Sequence, residues 1–233
     1  MEPLLESQIP IIAIDGPTAS GKGTVAARVA QALHFNYLDS GALYRVLAVD
    51  FLQRGLNPDN PDQLAQAGKL ALDLPVQFTA QGVFLAGHNV STLIRTEEAG
   101  AMASRLAVHP PVRQNLLQRQ RDFLQTPGLV ADGRDMGSVV FPQAGLKVFL
   151  TASPHIRAQR RFNQLQERGL PAAFDTLLHD LQERDRRDSG RAVAPLKPAH
   201  DARLLDCSAL GVEEVVQTIL AWYVQHAEQG AAK

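Results

Sequence analysis

The string Gly16-Pro17-Thr18-Ala19-Ser20-Gly21-Lys22-Gly23-Thr24 constrains this chain more than any other segment. Two glycines five positions apart are followed at once by lysine. Ahead of them lies an apolar run, Ile9-Pro10-Ile11-Ile12-Ala13-Ile14-Asp15, of the kind that fills a buried parallel strand. Behind them, Val25, Val29 and Leu33 recur every four residues, which predicts a helix over 22–33. Strand, glycine loop and helix together make an anion cradle. Glycine lets successive amides turn inward, the helix start adds its positive dipole end, and Lys22 brings a full charge to a β- or γ-phosphate. A surface lysine on a glycine-rich turn is the bland alternative, and so specific a string arises by chance in well under ~1% of chains this long. Nucleotide binding is the expectation. One position departs from the general pattern: Gly23 stands where a Mg²⁺-holding Ser or Thr usually follows the lysine, and Thr24 comes one place later. Any metal is then expected to be held mainly by the nucleotide's phosphates and water.

The pattern beyond the loop is strand, helix, strand, helix. A strand is expected at 35–38, then Asp39-Ser40-Gly41 as a cap opening a helix to about Arg54, and a helix over 61–74. Between 76 and 90 the period shortens, with Val76/Phe78 and Val83/Leu85 alternating about Ala80-Gln81-Gly82, as in small antiparallel strands. Helices follow at 96–107 and 111–125, and strands at 129–133 and 146–150. Helices from Pro154 to about Gly169 and over 172–188, a strand at 203–207 and a helix at 212–226 complete the chain. Such alternation implies a parallel sheet covered on both faces.

The 233 residues suit one domain, expected as a core (about 9–60, 108–154 and 200–228) with an insert (61–107) and a lid (155–195). A net charge of −1 and sparse aromatics disfavour a nucleic-acid grip. The acidic start, Met1-Glu2-Pro3-Leu4-Leu5-Glu6, is unlike a secretory leader, and no apolar run reaches membrane-spanning length. The lone Cys207 cannot form a disulfide within the chain, and the seven scattered histidines suggest no zinc site. A cytoplasmic monomer with small-molecule partners and no membrane contact is expected. Of the 23 basic residues, 18 are arginine, the side chain whose planar fork suits phosphate.

Four motifs in order, Leu38-Asp39-Ser40-Gly41-Ala42-Leu43-Tyr44-Arg45, Ile94-Arg95-Thr96, Ala131-Asp132-Gly133-Arg134-Asp135-Met136-Gly137 and Arg191-Ala192-Val193-Ala194-Pro195-Leu196, resemble the bacterial cytidylate kinases. The likeness runs from about Ile11 to Leu220. It implies a P-loop kinase fold: a parallel sheet flanked by helices, a monophosphate-binding insert with small antiparallel strands, and a helical lid. It also implies transfer of the γ-phosphoryl group of ATP to CMP or dCMP, with Mg²⁺. The rival readings are a kinase for UMP, dTMP or another acceptor, and a non-kinase NTPase or nucleotide-binding regulator.

The resemblance assigns roles residue by residue. Residues 16–24 would hold ATP, and Arg157 or Arg161 in the lid would reach it. Ser40 would bind CMP and Arg45 would clamp the acceptor phosphate, although Ser40 also suits a helix cap and Arg45 a surface carboxylate. Asp132 would orient Mg²⁺-bound water, Arg134 the acceptor phosphate, and Asp135 the cytosine amino group, where uracil offers an acceptor instead. A salt bridge among these three neighbours is the structural alternative. Ser104 and Arg113 would complete the base pocket, and Arg184 and Asp188 would hold the ribose, with Arg191 on the phosphates. Lys22, Arg134 and Arg191 are the catalytic candidates. Independently, Phe174, Leu177, Leu178 and Leu181 form an apolar helical stripe that Arg184, Asp188 and Arg191 continue at steps of three and four. That stripe either emerges into solvent or enters a cleft.

Overall fold

The computed structural model describes residues 9–79 and 81–231. The N-terminal residues discussed above and Ala80 of the expected turn lie outside them. Strand β1 (Ile11–Asp15) is buried at every position, as a central parallel strand requires. It lies between β6 (Leu129–Gly133) and β7 (Leu146–Thr151), with β2 (Asn36–Asp39) and β8 (Arg203–Asp206) at the edges. All four pairings are parallel, in the order β2-β6-β1-β7-β8.

Alternation along β1 sends Ile12 and Ile14 to one face, where Val25, Ala26 and Val29 of α1 (Lys22–Leu33) meet Val215, Val216 and Ile219 of α8 (Val212–Ala231). Ile11 and Ala13 face the other way, onto Leu38, Leu43, Met136 and Phe141. A third core joins α2 (Ser40–Gln53) to α3 (Pro61–Leu72), α4 (Glu97–Leu106) and α5 (Pro110–Arg121) around Phe51, Leu74, Leu106 and Leu116. Above it sits a small antiparallel sheet of β3 (Val76–Thr79), β4 (Gly82–Leu85) and β5 (His88–Asn89). Helices α6 (Pro154–Glu167) and α7 (Phe174–Ser189) pack on each other over the cleft. Among the described residues no helix is long and apolar enough to cross a membrane.

Several boundaries move from expectation for local reasons. Strand β2 starts at Asn36 because His34 turns left-handed (φ 55°) to close α1 and Phe35 packs edge-on to Tyr223. The cap of α2 is Asp39, whose carboxylate accepts from the Ala42 amide, so Ser40 is the first helical residue and not the cap. Helix α5 ends at Arg121, short of 125, and α8 runs on to Ala231. A wide π turn at Met136–Val140 fills part of the stretch between β6 and β7 to which the sequence pattern assigns no element. Helix α7 stops at Ser189, capped by Gly190, so Arg191 lies beyond it and the helical stripe does not extend that far.

Candidate active site

The carboxyl ends of the parallel strands open into one cleft of about 1230 Å³, more than a single drug-sized ligand fills. At one end lies the loop after β1. Gly16 is there for space: a Cβ would stand 2.1 Å from the Leu150 carbonyl oxygen. Gly21 is there for conformation, left-handed at φ 90° as it hands the chain to α1. Among the described residues, no acceptor takes an amide of Ser20, Gly21, Lys22, Gly23 or Thr24. These residues line the cleft, together with Thr18 and Ala19; Gly16 and Pro17 do not. Ser20 is buried, and among the described residues its hydroxyl has no partner. Lys22 donates to the Pro17 carbonyl at 3.3 Å across the loop. Burial and then the Arg134 guanidinium push its ammonium pKa down, against the pull of Asp132 and Asp39. A polyanion bound there would reverse that shift.

Asp132, at the end of β6, is buried and accepts from the Tyr37 hydroxyl at 2.7 Å. Burial and then Asp39, its register partner on β2, push its pKa up, and burial raises that of Tyr37 as well. A hard oxygen donor, raised by a second carboxylate and facing the loop, is chemically suited to a hydrated Mg²⁺ ion. A Cβ on Gly23 would stand 3.9 Å from Asp132 Oδ1. The position after the lysine therefore turns toward this carboxylate, and Asp132 offers oxygen where Gly23 offers none.

The opposite end is a knot of buried charge. Arg113 is paired with Asp135 Oδ2, both side chains almost covered. Asp135 Oδ1 has no partner among the described residues. Burial raises its pKa against the pull of Arg113 and Arg191. Asp188 is 1% exposed, accepting from Arg134 Nε at 2.8 Å and from Arg191. Burial alone would raise its pKa, but Arg134, Arg191 and Arg184 outweigh burial and hold it below the usual carboxylate range.

Arg184 Nε and Arg191 Nε are buried without partners among the described residues, and burial with the neighbouring Arg134 lowers the Arg184 pKa to about 9. Ser104 is 2% exposed, its hydroxyl also without a partner among the described residues. Arg45 donates to the Ile94 carbonyl at 3.1 Å and, among the described residues, has no carboxylate partner, so the surface-pair alternative does not hold. Burial lowers its pKa. Ser40 donates to Gln120 Oε1 at 2.8 Å. Cationic groups crowded together, several with spare donors, are chemically suited to anions.

The lid arginines divide. Arg157 is 3% exposed and does not line the cleft. It donates to the Ala152 carbonyl at 2.9 Å, to the Thr18 carbonyl at 3.1 Å and to Asp185, beneath the loop, so it is spent on structure. Arg161 does line the cleft and spans it to Glu97 on α4. Arg160, placed in the lid from sequence without a role, also lines the cleft, donating to the Ser20 carbonyl at 3.1 Å and to the Cys207 carbonyl at 2.6 Å. Tyr44 belongs to the cleft as well, its pKa pushed up to about 12 by burial. Its place within Leu38–Arg45 is the one sequence signal that singles it out.

The family model described as cytidylate kinase matches residues 12–225. A protein of Burkholderia ambifaria (strain MC40-6) named cytidylate kinase is 58% identical over 214 residues, 92% of each chain. A namesake from Paraburkholderia phymatum is 56% identical over 216 residues, and one from Ralstonia nicotianae 53% over 216, each covering 93% of both chains.

Proposed function

Since the chain belongs to the cytidylate kinase family, we propose that it transfers the γ-phosphoryl group of ATP to the 5′-phosphate of CMP or dCMP, giving ADP and CDP or dCDP. The observation that carries this reading is the two-ended cleft. Amides without a partner among the described residues stand with Lys22 at one end, and at the other a buried arginine–aspartate knot whose Asp135 Oδ1 has no partner among them.

In this reading the amides of residues 20–24 and Lys22 hold the β- and γ-phosphates. Arg45 and Arg134 hold the acceptor phosphate, Arg191 lies on the transferring group, and Arg184 and Asp188 meet the ribose. Asp135 Oδ1 accepts from the cytosine amino group, with Arg113 holding its other oxygen and Ser104 supplying a spare hydroxyl nearby. Asp132 is the residue that would hold Mg²⁺ through water, and the ion when bound offsets charge on the β- and γ-phosphates.

The acceptor is already an anion, so no strong base is needed. The obstacles are repulsion between two polyanions and the entropy of aligning them, and converging cations answer both. The reaction is in-line: the acceptor oxygen bonds to γ-phosphorus as the bond to the β,γ-bridging oxygen breaks, and ADP leaves with that electron pair. Covering helices α6 and α7 would keep water from competing as acceptor.

ADP production against a panel of nucleoside monophosphates, with and without Mg²⁺, tests the reading. CMP and dCMP are expected to turn over fastest and only with the metal. Preference for UMP or dTMP, or acceptor-independent ATP hydrolysis, would refute it.

A further inference from the structure

Asp15 closes strand β1 one residue ahead of the phosphate loop, 5% exposed and outside the cleft lining. Both its oxygens are engaged: Oδ1 accepts from the Met136 amide and Oδ2 from the Gly137 amide, each at 2.8 Å. Those amides open the π turn directly after Arg134 and Asp135. The same turn is confined on two other sides. A Cβ on Gly133 would stand 2.9 Å from the Met136 side chain, and one on Gly137 3.1 Å from the stem of Lys147. Asp15 is itself fixed by register, opposite Gly133 on β6 and Phe149 on β7.

A carboxylate is a costly choice there. Burial pushes its pKa up to about 6, although the two amides pull the other way. What a carboxylate supplies, and an amide or hydroxyl cannot, is two acceptor oxygens for two converging N–H groups. We infer that Asp15 is a positioning residue that sets the acceptor-selecting pair Arg134-Asp135 at a fixed distance from the donor loop. It touches neither nucleotide and acts through the turn. The inference rests on the proposed reading of the cleft as a CMP site.

Asp15→Asn keeps one acceptor and aims an NH₂ group at the other amide, releasing one corner of the turn. The KM for CMP is expected to rise about tenfold and the preference for CMP over UMP to narrow, while the KM for ATP stays within about twofold. A merely structural role would lower the melting temperature and leave the KM for CMP and the CMP:UMP ratio untouched, and that result would overturn the inference. If the unsubstituted protein does not phosphorylate CMP, the proposed function fails instead, and the two failures are told apart by that control. Hydrogen exchange on the unsubstituted protein tests the clamp without any variant. The Met136 and Gly137 amides are expected to exchange as slowly as those of Ala131 and Asp132 in β6, and exchange at open-loop rates would equally overturn it.

Discussion

Replacing Asp135 with alanine separates base selection from structural support. The Arg113–Asp135 pair has side chains 10% and 8% exposed, so removing the carboxylate strands a buried guanidinium. Its other bond, to the Ala107 carbonyl, is long at 3.5 Å. Breaking one side of such a pair costs about 3–5 kcal/mol, and for a chain of this size the melting temperature should fall by about 10 °C. The effect on catalysis has a different signature. Losing a charged acceptor for the cytosine amino group costs about 1.5–3 kcal/mol, or about 10- to 150-fold in kcat/KM for CMP. Uracil presents a carbonyl at that place and loses a repulsive neighbour, so UMP should be unaffected or improved. Coupled ADP detection at saturating ATP, on protein shown folded by circular dichroism, gives both constants. The CMP:UMP ratio is expected to narrow at least about tenfold. An unchanged ratio together with the lower melting temperature would leave Asp135 as nothing more than the partner of Arg113. Asp135→Asn keeps the volume and one acceptor, and should lose less stability than Asp135→Ala.

Lys22→Ala should lower kcat on the order of 10²-fold with little change in melting temperature; near-normal turnover would count against the loop as donor site. Arg157→Ala leaves Asp185 and the Thr18 carbonyl unpaired, so urea unfolding should show a loss of about 3–5 kcal/mol. Full stability with lost ATP affinity would instead make Arg157 a ligand. Asp15 gives a pH dependence. Its carboxyl ionises near 3.8 in the unfolded chain and near 6 in the folded one, so between those values the folded state binds more protons. Its contribution therefore makes stability fall as pH rises, by about 3 kcal/mol once both forms are ionised. The difference between the unsubstituted protein and Asp15→Asn in urea titrations at pH 4, 5 and 7 isolates it, and a difference that grows in the other direction would refute the assignment.

What the sequence discloses is what is local. The strand–loop–helix unit from Ile11 to Leu33 is legible because its glycines, lysine and apolar spacing lie within 23 residues and each has a short-range cause. Asp132, Arg134 and Asp135 are legible because one short motif that carries the family resemblance holds them together. Three groups escaped because their partners are distant along the chain. Asp15 meets Met136 121 residues away, Tyr37 meets Asp132 95 away, and Arg160 meets Ser20 140 away. Arg157 illustrates the converse. In sequence Arg157 and Arg161, four positions apart, are equivalent candidates for ATP, and only packing shows Arg157 turned beneath the loop. Arg191 shows that side-chain reach can replace helical phase. Helix α7 ends two residues before it, yet its guanidinium still reaches Asp188.

Whether two nucleotides share this cleft is asked most directly by following the phosphorus atom. Incubation with γ-labelled ATP, Mg²⁺ and CMP should move the label into the β-position of CDP, with no more label in inorganic phosphate than in a control lacking CMP. Label released as phosphate at an equal rate with or without CMP, and none in CDP, would contradict a phosphoryl transfer between two bound nucleotides.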